Sequence, residues 1–352
     1  MRIEKFKFGE ADGKDVDGFV LRNANGLSAT LISYGARMTA FNLPGRDGTP
    51  ADIVLGFDDI ESYVATNTYF GATCGRYGNR IRNGRFEIDG QQFQVDRNEG
   101  SNHLHGGRNG FDRKVWDSSA DESANTVRFN MTSPDGEEGF PGTVQLSTTY
   151  QLSDDNVLTM RMRGTTDAPT LLNAVHHTYW NLAGQGAGDV RNQELTLFSD
   201  FYTPVDDELI TTGEVLSVAG TAFDFRSAKL IGKDIDTLND VGTGNLIGGG
   251  YDHNWCLNGV GRGLHPCARV VDPKSGRGFE LHTNEPGVQF YTGGYLDEKV
   301  IGKRSKPYCR FAGYTFETQR FPNSPSFAHF PSSVLYPGED YDHQMVFRFF
   351  NV

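Results

Sequence analysis

Arg85-Phe86-Glu87-Ile88-Asp89-Gly90-Gln91-Gln92-Phe93-Gln94-Val95 reads as two short strands around a tight turn. Phe86 and Ile88 alternate with charged residues before Asp89-Gly90, and Phe93 and Val95 alternate with glutamine after it. Asp-Gly supplies the positive φ angles a two-residue hairpin needs, so this stretch predicts a β-hairpin. The punctuation recurs: Asp-Gly begins at 12, 17, 47, 89 and 135, and Asn-Gly at 25, 83, 109 and 258. Period-two runs lie between these turns. Leu158, Met160 and Met162 share one face of the run from Val157 to Arg163; Val127, Phe129 and Met131 repeat the pattern, as do Val346 and Phe347-Arg348-Phe349. No 3.6-residue stripe exceeds about two turns; Asp58 to Tyr63 and Leu230 to Leu238 are the candidate short helices. The expectation is an all-β, antiparallel sandwich or barrel rather than βαβ units. The 352 residues allow two domains. No linker, low-complexity tract or composition break divides them, so the chain reads as one domain, 1–352. Its 43 glycines are spread out and read as turns, not as a repeat.

Charge narrows the partners. With 45 acidic against 33 basic residues the formal net charge is −12, and the basic residues form no run. Such a surface repels phosphate backbones and anionic lipids, so neither nucleic acid nor membrane is an expected partner. No stretch approaches 18 apolar residues, and the first ten residues contain no apolar signal-like core. A cytoplasmic location is expected. Cys74, Cys256, Cys267 and Cys309 form no C-x-x-C pair and read as free thiols, with a Cys256–Cys267 bridge open only if the fold joins them.

Four segments place reactive side chains among glycines and aromatics. Gly75 to Gly84 carries Arg76, Arg80 and Arg82, which suits phosphate or simply a surface, but fits no phosphate-loop spacing. Asn98 to Gly107 contains His103-Leu104-His105; on a strand both imidazoles would share a side, as in some metal sites. Residues 106–109, Gly-Gly-Arg-Asn, offer no completing carboxylate, so polar substrate contact or a satisfied loop histidine is the better reading. In Asn173 to Leu182, His176 and His177 face opposite ways, and His177 shares a face with Tyr179. In Gly313 to Pro322, Thr315 and Glu317 lie on one face and Phe316 and Thr318 on the other. A carboxylate inside an aromatic strand costs desolvation unless it is paired or functional.

Taken in order, these segments resemble the aldose 1-epimerase (galactose mutarotase) family. The resemblance is carried by Asn79-Arg80-Ile81, Leu104-His105-Gly106-Gly107, the run from His177 to Gly184, Asp252-His253-Asn254, the run from Pro286 to Gly293, and Phe316-Glu317-Thr318-Gln319. Ser133 to Gly142 and Tyr336 to Tyr341 are further marks. It implies a large antiparallel β-supersandwich of the galactose mutarotase type, with few short helices, no cofactor and no metal. It also implies Glu317 as general base, His177 as general acid, and Asn79, Arg80, His105, Asp252 and Gln289 as sugar-binding residues. The tandem His176-His177 departs from a single histidine, and the spacing to Tyr179 favours His177. Trp180 stands where Phe is common and keeps an aromatic ring.

The implied reaction fits these residue types. Opening a pyranose removes a proton from the C1 hydroxyl and delivers one to the ring oxygen; the aldehyde turns about C1–C2 and closes on its other face. An imidazolium at His177 is expected to be favoured by Asp252. The other readings are a hexose-6-phosphate 1-epimerase, which needs Arg76 or Arg82 in the pocket, a non-catalytic carbohydrate-binding module, and a glycoside hydrolase using Glu317 and Asp252. The aldose preferred, and whether the chain is a monomer or homodimer, are left open.

Overall fold

Asp12 and Gly13, at φ 52° and 70°, turn the strand Ile3–Ala11 into Lys14–Arg22. Asp89 and Gly90, at 51° and 80°, close Arg85–Ile88 onto Gln91–Gln94 and stack Phe86 on Phe93. Asp17-Gly18 is a correction: it lies inside the strand Lys14–Arg22, where Gly18 pairs with Phe6 and Ile32 and its lack of a side chain leaves room for the Phe6 ring. The computed structural model describes residues 3–239 and 249–352. Residues 1–2, which begin the N-terminal reading above, and 240–248 lie outside the described residues, so that part of the 1–352 reading does too.

Three larger sheets carry the architecture. A five-stranded meander runs from Ile3–Ala11 to Pro50–Asp52. A nine-stranded sheet centres on Val157–Thr166, Tyr341–Asn351 and Arg277–Thr283. A six-stranded sheet runs Tyr179–Trp180, Tyr314–Gln319, Gly287–Tyr291, Asp252–Leu257, Ser199–Thr203, Leu216–Ser217. Their ladders are antiparallel. Period-two alternation decides which face each strand buries: Leu158, Met160 and Met162 are buried, as are Val127, Phe129 and Met131.

Aromatic rings join the sheets into one core. Phe41 stacks on Phe349 at 4.3 Å, bringing the N-terminal meander against the last strand. Trp180 packs on Phe347 and Phe279, and Phe279 meets Phe316 edge-on at 6.0 Å, joining the nine- and six-stranded sheets. Each such ring contributes about 1.5–3 kcal/mol by burial. The result is the expected β-supersandwich.

Helix is scarce among the described residues. Ile60–Ala65 is the one α-helix; Asp59 caps it, accepting from the Ser62 N–H at 2.8 Å. The second candidate, Leu230 to Leu238, is corrected. Lys229–Leu230 pairs as a strand with Glu194–Leu197, and only Ile235–Asn239 winds, as a 3₁₀ turn. The ladder holds Lys229 and Leu230 extended, and the N–H groups of Ile231 and Gly232 stay tied to the Gln193 and Arg191 carbonyls, so the chain begins to wind only at Ile235. No helix among the described residues is long and apolar enough to cross a membrane. All four cysteines are free; Cys74 and Cys267 are buried.

Candidate active site

The six-stranded sheet sets the site by register. Tyr179, Thr315, Tyr291 and Asp252 form one rung, and Glu317, Gln289 and Asn254 another. Every residue of Tyr314–Gln319 is buried. Phe316 turns into the core against Phe290, and Thr318 bonds His343 Nε2 at 2.6 Å. Thr315 and Glu317 take the opposite face, where a cavity of about 300 Å³ opens. It is also lined by Tyr69, Asn79, Arg80, Glu99, His105, His177 and Asp252. That volume is at the small end of ligand pockets and suits a small polar molecule.

Glu317 and His177 meet at its floor. Glu317 is 2% exposed and His177 4%. His177 Nε2 lies 3.4 Å from Glu317 Oε1, which also accepts from the Thr315 hydroxyl at 2.9 Å. Glu317 Oε2 and His177 Nδ1 are buried with no hydrogen-bond partner among the described residues. Burial pushes the Glu317 carboxyl up to about 8, opposed by the Thr315 bond and reinforced by Asp252. Burial likewise pushes His177 down to about 3, with the Arg37 guanidinium adding to it. Burial therefore favours the neutral form of both groups. This corrects the expectation that Asp252 favours an imidazolium: loss of solvent is the dominant influence on His177.

The tandem histidines separate as adjacent strand residues must. The His177 N–H donates to Ala72 and its carbonyl accepts from Gly71. His176 points away from the cavity, where Nε2 bonds the Tyr150 hydroxyl at 2.6 Å and Nδ1 the Thr178 hydroxyl at 2.8 Å. Both of its ring nitrogens are occupied, so His176 has a structural role.

His103 and His105 do not share a side. The strand His103–Leu104 is two residues long, and His105 leaves it at φ 51°. His103 Nδ1 bonds the Asp96 carbonyl and its ring packs on Phe140. His105 turns into the cavity, its Nδ1 accepting from the Asn79 N–H at 3.2 Å. That bond leaves the ring proton on Nε2. One ligand atom each from His105, His177 and Glu317 lie within 4.8 Å of one another, a spacing near that of a metal site. Metal-bound histidines normally donate their second ring N–H to a carbonyl or carboxylate. His105 accepts there instead, which makes its Nε2–H a donor to a ligand oxygen. Gly106 completes the turn at φ 91°; a Cβ there would stand 1.7 Å from the Gly75 carbonyl oxygen.

Asn79 sits at φ 63°, its Oδ1 accepting from the Arg80 N–H. Arg80 is buried at the cavity wall, held by Glu99. Asp252 Oδ2 lies 4.0 Å from Arg80 Nη1, and Asp252 Oδ1 accepts from Gln289 Nε2 at 2.7 Å. Gln289 does not line the cavity and reaches its wall by this bond to Asp252. The other two arginines are elsewhere. Arg76 is buried and donates to Ser133, Pro134, Pro141 and Thr170; Arg82 pairs with Asp206. Neither is a phosphate ligand.

Tyr69 and Glu99 are among the lining groups that escaped the sequence reading. Tyr69, at φ 56°, sets its ring 4.8 Å from His105 and 5.6 Å from His177. Glu99 lies inside the Asn98–Gly107 segment but carries no local signal of its partner. Tyr69, Asn79 and His105 are all non-glycine residues at positive φ, a costly conformation that concentrates at functional sites.

A family model described as aldose 1-epimerase matches residues 17–348. The human galactose mutarotase is 41% identical over 349 residues, 99% of this chain and 98% of that protein. The aldose 1-epimerase of Escherichia coli K12 is 35% identical over 340 residues, 96% of each chain. Among solved structures, an aldose epimerase homologue from C. elegans superposes with a TM-score of 0.86 at 32% identity, covering 95% of this chain and 98% of that one. A galactose 1-epimerase from Lactobacillus acidophilus gives 0.85 at 29% identity, covering 99% and 98%. The fold, the buried Glu317–His177 pair and these matches together place the chain in the aldose 1-epimerase family.

Proposed function

We propose that this protein interconverts the α and β anomers of free aldoses, with Glu317 taking the C1 hydroxyl proton and His177 delivering one to the ring oxygen. The observation that carries the assignment is the 3.4 Å approach of a buried imidazole to a buried carboxylate in a sugar-sized cavity. Positioned acid–base groups of this kind contribute about 10²–10⁴-fold each. After C1–C2 rotation the two groups exchange roles and the ring closes. The His105 Nε2–H and the free Arg80 Nη1 supply donors for charge developing on sugar oxygens. Asp252 and Asn79 bind hydroxyls, with Gln289 bracing Asp252. No redox change occurs, and the reaction calls for no cofactor.

The charge of the wall argues against a hexose-6-phosphate substrate. Arg80 is the one cation among the lining residues, and Glu99 and Asp252 flank it. Glu317 is paired with an imidazole, the partner that ring opening needs and that hydrolysis by two carboxyl groups about 5–9.5 Å apart does not. A mere binding module has no use for such a pair. The shared aromatic core supports one domain, and the free thiols and net charge support a cytoplasmic enzyme without nucleic-acid or membrane partners.

Polarimetry of freshly dissolved α-D-glucose and α-D-galactose tests the proposal. Wild type should speed the approach to equilibrium rotation, and Glu317→Gln and His177→Asn should each lose most of that rate. A fully active Glu317→Gln variant would refute the scheme.

A further inference from the structure

Glu99 has no part in the acid–base scheme, yet it decides what Arg80 is able to do. Arg80 Nε and Nη2 donate to Glu99 Oε2 and Oε1 at 2.6 and 2.7 Å, a two-pronged pairing that fixes the guanidinium plane. Three N–H groups remain, one on Nη2 and two on Nη1, and Nη1 is the nitrogen turned to Asp252. It faces Asp252 Oδ2 at 4.0 Å, too far for a direct hydrogen bond. A hydroxyl placed between them accepts from Nη1 and donates to Asp252, and the gap suits that double role.

Glu99 is itself braced. Its N–H and carbonyl exchange hydrogen bonds with those of Asn102 at 3.1 and 2.9 Å. The Asn98 side chain bonds both backbone groups of Leu104, and Leu104 pairs with Arg80 across the two-residue ladder that leads into His105. Glu99, Arg80 and His105 thus belong to one small rigid unit. Without Glu99, Arg80 would be a buried guanidinium with two free prongs, a ready receptor for a carboxylate or phosphate. With it, the cation stands between two carboxyl groups.

We propose that Glu99 is a specificity-determining residue that positions Arg80 and, by occupying its Nε–Nη2 edge and offsetting its charge, turns it from an anion receptor into a hydroxyl donor. The cavity thereby accepts neutral aldoses and rejects those bearing a carboxylate or phosphate. The inference rests on the aldose-epimerase reading above. It is tested with Glu99→Gln, Glu99→Ala and Glu99→Asp variants, using α-D-glucose, D-glucuronate and D-glucose 6-phosphate as probes. For Glu99→Gln, the KM for glucose should rise about tenfold with kcat changed far less. The kcat/KM ratio of glucuronate to glucose should rise about tenfold, an advantage that shrinks as salt is added. Glu99→Asp, which keeps the charge, should stay near the wild-type ratio. A merely structural role would lower rates on all three sugars alike and leave the ratio unmoved. An unchanged ratio in Glu99→Gln, with thermal melting showing it folded, overturns the inference. A wild type that accelerates no aldose overturns the functional reading instead, so the two failures are distinguishable.

Discussion

Glu317→Gln should abolish most activity while making the protein more stable, and the gain should grow with pH. The carboxyl sits at about 8 in the folded chain, against an ordinary value of 4.5. A group whose folded value is raised holds its proton more tightly when folded. Its contribution is fully present below about pH 4.5 and is lost as pH rises through about 8. With those two values, and about 1.36 kcal/mol per unit, the loss is about 1 kcal/mol at pH 5 and about 3 kcal/mol at pH 7. Glutamine keeps the oxygen that the Thr315 hydroxyl reaches but never ionises, so it escapes the loss. Urea unfolding of both proteins at pH 5, 7 and 8 is the assay, with the change in their difference between pH 5 and 7, about 2 kcal/mol, as the readout. The steady-state rate should fall by about 10²–10⁴-fold. A difference that stays flat with pH, or a variant less stable at pH 7 than wild type, would refute the claim that burial holds Glu317 neutral.

The proton count of the pair sets the pH–rate profile. The reactive form carries one proton shared between His177 and Glu317, so kcat/KM should hold level past the ordinary histidine value of 6.5 and decline only as pH rises through about 8; a decline centred near 6.5 would contradict this. Gln289→Ala should raise KM less than Asp252→Ala, and the double variant should resemble Asp252→Ala alone, because Gln289 acts through Asp252; additive effects in the cycle would show a separate contact with sugar. Gly106→Ala should destabilise by about 3 kcal/mol or more and take His105 out of place, since its Cβ would collide with the Gly75 carbonyl at φ 91°; normal melting and KM would exclude that.

Local signals were legible in the sequence and distant ones were not. Asp89-Gly90 makes its turn from two residues' own φ preferences, and Glu317 takes the cavity face because strand residues alternate. His177 was separable from His176 by the same rule. His103-Leu104-His105 misled because alternation assumes a continuing strand, and His105 turns left-handed after one step. The roles of Arg76 and Arg82 were invisible for another reason: their partners lie 57 or more residues away, at Ser133 and Asp206. Nothing periodic announces such a pair. Glu99 is nearer, 19 residues from Arg80, but a loop carries it, and a loop has no face to predict from.

Burial of the catalytic pair also bears on which step of the reaction the site favours. On the proposed scheme the cyclic sugar meets an imidazolium and a carboxylate, and ring opening moves one proton each way. The open-chain aldehyde then sits beside neutral His177 and protonated Glu317. That is the state burial favours, since it lowers His177 and raises Glu317. A fully solvated pair would prefer the charged state and hold the sugar closed. Removing water from these two side chains therefore shifts the bound equilibrium toward the open chain, which is the species that must form before the anomeric face can change.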